Sequence, residues 1–308
     1  MKKVLVIYYS QSGQLTEIVQ SVLAPLKKNE NVSVVFEEIR PRKNYPFPWS
    51  RHQFCDAFPE AFQEIPCELE PFGFNPEDDF DLIILAYTVW YLSPSTPVLS
   101  FLQSPEAKRL IHNRPVITLI GCRNMWLLAQ EKVKRRIYAM DGEIKGNVVL
   151  MDRAMNLIGI VTIAAWMLTG KKDRFLRIFP RPGISDRDIQ HAEIFGNIIL
   201  ESLLDEKFDL DQQALNRHGA VPVIPAYIIF EQRIHKVFSI WSKFILQKGG
   251  PADPKRKFRV QLFFYYLLFA VLILAPIATL VSWIVQIFNK QKVKTAVTYF
   301  SQNQLKSL

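Results

Sequence analysis

The sequence is poor in the residues that usually announce chemistry. It has three cysteines, Cys55, Cys67 and Cys122, and no two of them are spaced as CxxC or as a metal-binding set. That excludes a disulfide framework and a cysteine-zinc site, and the odd count fits a reducing compartment. Five histidines (His52, His112, His191, His218 and His235) are scattered along the chain. No Ser/His/Asp set, metal spacing or paired carboxylates stands out, so nucleophilic hydrolysis and metal chemistry find no residues. G-x-x-x-x-G-K-[ST] and G-x-G-x-x-G are both missing, which argues against P-loop phosphoryl transfer and against a dinucleotide pyrophosphate site. Met1-Lys2-Lys3 is followed by only six apolar residues and no small-residue cleavage pattern. This run is shorter than a signal-peptide core, so it is expected to be a first strand of a cytoplasmic domain.

Net charge is missing from the first half. Residues 1–150 carry 17 Lys/Arg and 17 Asp/Glu; residues 151–308 carry 21 and 12, so the whole +9 lies there. In that half basic residues alternate with long apolar runs, which suits an anionic membrane surface better than nucleic acid.

What is present begins with the buried-strand run Val4–Tyr9. A hydroxyl-rich turn, Ser10-Gln11-Ser12-Gly13-Gln14-Leu15-Thr16, follows. Helical spacing then places Ile18, Val19, Val22 and Leu23 on one face. Free N–H groups and the helix dipole make such a junction an anion site built from dipoles, with no Lys or Arg in the turn. Further strands are expected at Val32–Ile39, Phe80–Ala86, Pro115–Ile120 and Gly146–Asp152. Helices are expected at about Val98–Leu102, Leu127–Met140 and Ser185–Leu204. Residues 40–74 are a long excursion rich in Pro and aromatics. A short helix is expected over residues 50–63 within it, with Phe54, Phe58 and Phe62 on one face, either as a cover over the sheet edge or as a cleft wall. Two loops follow apolar strands at the same sheet end: Tyr87-Thr88-Val89-Trp90-Tyr91 and Gly121-Cys122-Arg123-Asn124. In open parallel sheets ligands bind beyond the carboxyl ends of the strands.

The stretch Tyr9–Thr16 resembles the flavodoxin signature. That resemblance implies an α/β, doubly wound, five-stranded parallel sheet in the order 2-1-3-4-5, with FMN as cofactor. It implies that Ser10, Gln11, Ser12, Gly13, Gln14 and Leu15 surround the phosphate; Leu15 stands where many members have a second hydroxyl. The loop Tyr87-Thr88-Val89-Trp90-Tyr91-Leu92-Ser93-Pro94-Ser95-Thr96-Pro97 resembles the isoalloxazine loop of FMN-dependent reductases, with Thr88 standing where Pro or Ser often occurs. Thr88, Val89, Trp90, Tyr91, Gly121, Cys122 and Asn124 would then line the ring. Tyr87, Tyr91 and Arg123 are the candidate acid–base or charge partners, with Arg123 opposing a reduced-flavin anion or a substrate enolate. Cys122 is the residue type of a reactive thiol, but nothing near it in sequence lowers its pKa.

The chain departs from a flavodoxin after strand five. An insertion, about 153–184, joins an almost wholly apolar segment (Met155–Leu168) to the basic Lys171–Phe179, as an interfacial, cleft-lining or core element. The expected division is an FMN domain over 1–205, ended by polar, loop-like residues 205–220, and a linker with a basic amphipathic helix over 206–250. A membrane-associated helical tail over 251–308 would follow. Within it Leu262–Val285 is uncharged for 24 residues, about 36 Å as a helix, long enough to cross a ~30 Å hydrocarbon core. A span over about 260–288 is expected; Pro276 leaves a re-entrant hairpin open.

Tyr45-Pro46-Phe47-Pro48-Trp49, Asp56–Glu60, Ile65–Phe72, Trp90–Ser95 and Gly121–Trp126 together resemble the bacterial dialkylresorcinol-condensing proteins of aryl-polyene and flexirubin-type lipid pathways. The resemblance implies an FMN-dependent oxidoreductase that aromatises a dialkylcyclohexanedione, made by a partner ketosynthase, to a dialkylresorcinol. A lipid-like alkyl ring as substrate, the cytoplasmic face of the inner membrane and a possible homo-oligomer complete the expectation. The alternatives are a membrane-tethered electron carrier and a non-catalytic scaffold.

Overall fold

The computed structural model describes residues 1–205, 208–274 and 289–305. In chain order the first half holds β1 (Lys2–Tyr8), α1 (Gln14–Lys28), β2 (Val32–Glu38), α2 (Arg51–Asp56), α3 (Phe58–Gln63), β3 (Leu82–Trp90), β4 (Ser93–Pro94), α4 (Thr96–Phe101), α5 (Pro105–Ile111), β5 (Pro115–Cys122), α6 (Leu127–Ala139) and β6 (Glu143–Met151). The second half holds α7 (Asn156–Thr169), α8 (Asp186–His191), α9 (Glu193–Leu204), α10 (Gln212–Arg217), α11 (Pro225–Leu246), α12 (Lys257–Phe269) and α13 (Lys290–Phe300).

Five parallel strands form one sheet in the order β2-β1-β3-β5-β6, and the two-residue β4 folds back on β3. Setting β4 aside, this is the expected order, and the fold is flavodoxin-like. The four strands β1, β3, β5 and β6 are aliphatic almost throughout because helices cover both faces of the sheet. Leu5, Ile7, Ile83, Leu85, Ile120 and Val149 face α4, α5 and α6; Val4, Val6, Ile84, Leu119 and Val148 face α1 and α9.

Three local differences from the sequence reading have physical causes. The expected helix over 185–204 is two helices, capped at Ser185, whose Oγ accepts the Asp188 N–H at 3.1 Å. The excursion helix over 50–63 is likewise two short helices, the first closed by a capping box between Ser50 and Gln53. Residues 205–220, expected as a polar loop, contain α10 and lie along the outer strand β6. The Gln212 side chain bonds both the N–H and the C=O of Asn147 (2.7 and 3.0 Å), and Val149 N donates to Ala220 O at 2.7 Å. The polar composition that suggested a loop is what satisfies this strand edge.

Outside the sheet lies an aromatic layer of α2, α3, α11 and α12. Phe58 stacks on Phe263 with ring centroids 4.1 Å apart; Tyr91, Phe238 and Trp241 pack around the pair. Arg256, fully buried at the foot of α12, is held by Asp56 and Glu60 at 2.6 Å each. The 21 residues Pro254–Leu274 are the one helical stretch among the described residues long and apolar enough to cross a membrane, by length and composition. Residues 275–288 of the expected span lie outside the described residues.

Candidate cofactor site

The turn after β1 forms because Gly13 takes a positive φ of 84°, a conformation that Cβ-bearing residues resist, and so starts α1 at Gln14. A Cβ built there would meet nothing within 4 Å, so the space before the turn is open. Ser10 Oγ accepts the Thr16 N–H at 3.2 Å and closes the turn. Among the described residues no partner is recorded for the backbone N–H groups of Ser12, Gly13, Gln14 and Leu15. Helix N-termini leave such donors unmet, and they point where an anion gains from the helix dipole.

The two glutamine side chains of the turn do other work. Gln11 donates to Pro46 O at 2.7 Å and accepts from Trp49 Nε1 at 3.2 Å, which fastens the aromatic excursion to the turn. Gln14, buried, bonds Ile184 through both its C=O and N–H (3.1 and 3.0 Å) and pins the end of the insertion. Their contribution to an anion is therefore backbone, not side chain. The insertion also brings Lys172 within 3.6 Å of Glu17 in the first turn of α1.

Strand register sets what stands beside the turn. Tyr8 pairs with Ala86 at the end of β1, and two residues further along β3 Thr88 pairs with Gly121, so the turn leaves β1 beside the end of β3 that carries Thr88. Thr88 Oγ1 is buried with no hydrogen-bond partner among the described residues. Such an atom costs about 1–3 kcal/mol unless something meets it. Gly121 has a different reason from the expected close approach to a ring. Its Cβ would come within 3.1–3.2 Å of Ile18 and Leu15, so the glycine lets α1 pack on β5.

Trp90 lies in an aromatic nest with Tyr45 (5.0 Å between centroids), Trp49 (5.6 Å) and Tyr9 (6.1 Å), all near edge-to-face. Burial pushes the phenols of Tyr9 and Tyr45 up, so both stay protonated at neutral pH. The sequence reading left Tyr9, Tyr45 and Trp49 out of the site. The Tyr-Pro-Phe-Pro-Trp run was the available signal.

The other expected residues do other work. Tyr87 is fully buried in the core on the face of β3 away from α1, and its hydroxyl donates to Gln130 Oε1 at 2.7 Å in a chain that continues to Thr118 and Asn147. An acid–base role at a ring does not fit that position. Tyr91 and Leu92 both have positive φ (50° and 63°), as the primed hairpin turn between β3 and β4 requires. That turn swings Tyr91 into the aromatic layer, where its hydroxyl donates to Phe54 O. Val89 packs against the α4–α6 side. Cys122 has its thiol pushed well up by burial, with Glu231 adding to the shift, so it is no thiolate. Arg123, its own pKa lowered by burial, reaches α7; a Cβ on Gly159 would lie 3.1 Å from its Nη2. Asn124 is buried in the same loop.

The loop carrying these three residues has a partner that sequence reasoning missed. Glu231 of α11 accepts the N–H groups of Leu127 (3.1 Å) and Leu128 (2.8 Å), capping α6 from 104 residues away. Burial pushes its carboxyl up to about 7, against the lowering effect of those N–H bonds.

FMN is the cofactor implied by this strand order and turn. The residues fit it: unmet N–H groups for a phosphate, an open cradle at Gly13, and the orphaned Thr88 hydroxyl in the adjoining strand. No family model matches the chain, and no curated protein matches it. Solved structures of similar fold include flavoproteins. A flavoprotein in complex with FMN from Lactobacillus acidophilus is 17% identical with a TM-score of 0.38, covering 48% of this chain and 93% of its own. A flavodoxin from the domain Archaea is 12% identical (TM-score 0.36), covering 66% of this chain and 99% of its own. A flavone reductase is 11% identical (TM-score 0.34), covering 66% and 63%.

Proposed function

We propose that the chain is an FMN-dependent oxidoreductase acting on an apolar, alkyl-bearing ring at a membrane face, and that its reaction is the aromatisation of a dialkylcyclohexanedione to a dialkylresorcinol. The observation that carries the cofactor is the buried, unpartnered Thr88 hydroxyl on β3, the strand beside the open turn at Gly13. The N–H groups of Ser12 to Leu15 would hold the phosphate, Thr88 Oγ1 the polar chain behind it, and Trp90 with Tyr45 and Trp49 the ring. Bound FMN would supply the two-electron sink: the dione ring gives up a hydride and a proton and tautomerises to the aromatic diol. The protein excludes water with the aromatic nest and keeps the Tyr9 and Tyr45 hydroxyls protonated as donors.

The substrate class rests on the family resemblance and on the apolar surroundings. Dialkyl rings partition into lipid, and the exposed apolar side of α12 lies next to the layer that walls the excursion. A ketosynthase supplying the dione and the cytoplasmic membrane face belong to the same reading.

The full chain, purified in detergent, should be yellow or take up added FMN. Anaerobic addition of a dialkylcyclohexane-1,3-dione should bleach the flavin and yield one resorcinol per flavin. Protein that stays colourless with excess FMN sinks the cofactor. Yellow protein that is not bleached sinks the aromatisation and leaves the electron-carrier reading.

A further inference from the structure

We propose that Pro254–Leu274 and α13 both sit on the face of the bilayer where the sheet domain sits, with the exposed side of α12 as a mooring in one anionic leaflet. The argument rests on where the described ends of the segment are held. At its start, Arg256 is locked between Asp56 and Glu60, and the Ala252 N–H donates to Asp56 at 2.8 Å. At its end, α13 and the residues after it dock on the same domain. Tyr299 Oη donates to Glu131 at 2.5 Å, and Lys134 Nζ to Gln302 O at 2.9 Å. Tyr138 Oη donates to Asn303 O at 3.0 Å, and Asn216 Nδ2 to Ser301 O at 2.9 Å. Glu131, Lys134 and Tyr138 all belong to α6, the helix that flanks β5. A single crossing would leave α13 across the bilayer from α6 and break every one of these bonds.

The face that meets lipid is visible around α12. One side of α12 packs on α2 and α11, while Leu262, Tyr265, Leu268, Phe269, Leu272 and Ile273 on and just beyond it are exposed. Residues Ala270–Leu274 reach α7, which at 14 residues is about 21 Å long and too short to span a ~30 Å core. The loop after α7 continues the face. Leu176 and Ile178 are exposed there among Lys171, Arg174, Arg177 and Arg181, with Asp173 the lone acid between 171 and 181. Apolar tips between cations are what an anionic headgroup layer accommodates, and isolated polar solvent does not.

This inference rests on the membrane-face reading above but not on the flavin. Two measurements on the full chain test it. First, Thr295→Cys on α13 and Lys248→Cys before α12, both exposed, are labelled with a membrane-impermeant maleimide in intact spheroplasts and in inverted vesicles, against the unsubstituted chain. Both should label in inverted vesicles alone; Thr295→Cys labelling from the opposite side to Lys248→Cys overturns the proposal. Second, Leu268→Cys carrying a fluorophore is tested in vesicles rich in phosphatidylglycerol. Brominated acyl chains should quench it. Quenching absent there, or exchanged for self-association of the protein, overturns the membrane reading along with the proposal. Flavin absorbance, read on the same samples, shows whether the cofactor reading stands independently.

Discussion

The sheet domain and the aromatic layer beside it hold together by different physics. In the sheet, aliphatic residues on both faces of parallel strands are buried by neighbouring helices, and backbone ladders satisfy the polar groups. Each contact is replaceable by a similar one nearby. The layer depends on a few large rings and one buried charged cluster, Arg256 with Asp56 and Glu60, separated by about 200 positions in the chain. The sheet is therefore tolerant and the layer brittle. The candidate cofactor site lies where the two meet, because Gln11 and Trp49 tie the excursion that carries the layer to the turn that opens the sheet site.

The largest test of that contrast is Arg256→Ala. It leaves two carboxylates buried without their cation, which costs about 3–5 kcal/mol. Hydrogen exchange should show protection lost in α2, α3 and the start of α12 while β1, β3 and β5 stay protected. Loss of protection in the strands too would mean that the two regions are one cooperative unit.

Glu231 sits on the boundary and gives a pH test. Its carboxyl is raised in the folded state to about 7 from 4.5, so the folded protein binds the proton more tightly than the unfolded chain. Its contribution is fully favourable below about 4.5, falls as pH rises to about 7 and is flat above. The range is on the order of 3 kcal/mol. Glu231→Gln should flatten this slope in thermal melts between pH 5 and pH 7.5; an unchanged slope would assign it to other groups.

Gly121→Ala should cost about 1–3 kcal/mol by overpacking against Ile18 and Leu15, read as a lowered denaturant midpoint. It should displace the start of α1 and so weaken FMN uptake as well. Thr88→Val is the smallest change. Removing an orphaned hydroxyl should leave stability unchanged or raised, while FMN affinity falls about fivefold to tenfold, roughly 1 kcal/mol. Unaltered affinity would remove Thr88 from the site.

The same contrast explains what the sequence disclosed. Leu82–Ala86 is an uninterrupted apolar run, Pro115–Ile120 is broken only by Thr118, and the turn at Gly13 has a local signature, so all three are readable from short windows. The ends of β3 and β5 extend beyond the apolar runs because hairpin and ladder bonds, not hydrophobicity, carry them. The aromatic partners of Trp90 come from 41 to 81 positions away along the chain. No periodicity encodes that meeting. Tyr87 was misplaced for a related reason: strand alternation puts it on the face away from α1, and a tyrosine beside a loop looks the same on either face. The polar α10 was read as loop because its burial is against a strand edge and uses side-chain amides.

The covering of β6 by Gln212 and Ala220 has a consequence for handling the protein. A chain cut after residue 205 would keep all five long strands yet bare the hydrogen-bonding groups of Asn147 and Val149. An uncovered outer strand invites pairing with the same strand of another molecule. Such a fragment should form sheet-rich aggregates even when freed of its apolar tail, whereas one cut just beyond residue 220 keeps its edge dressed and should stay dispersed.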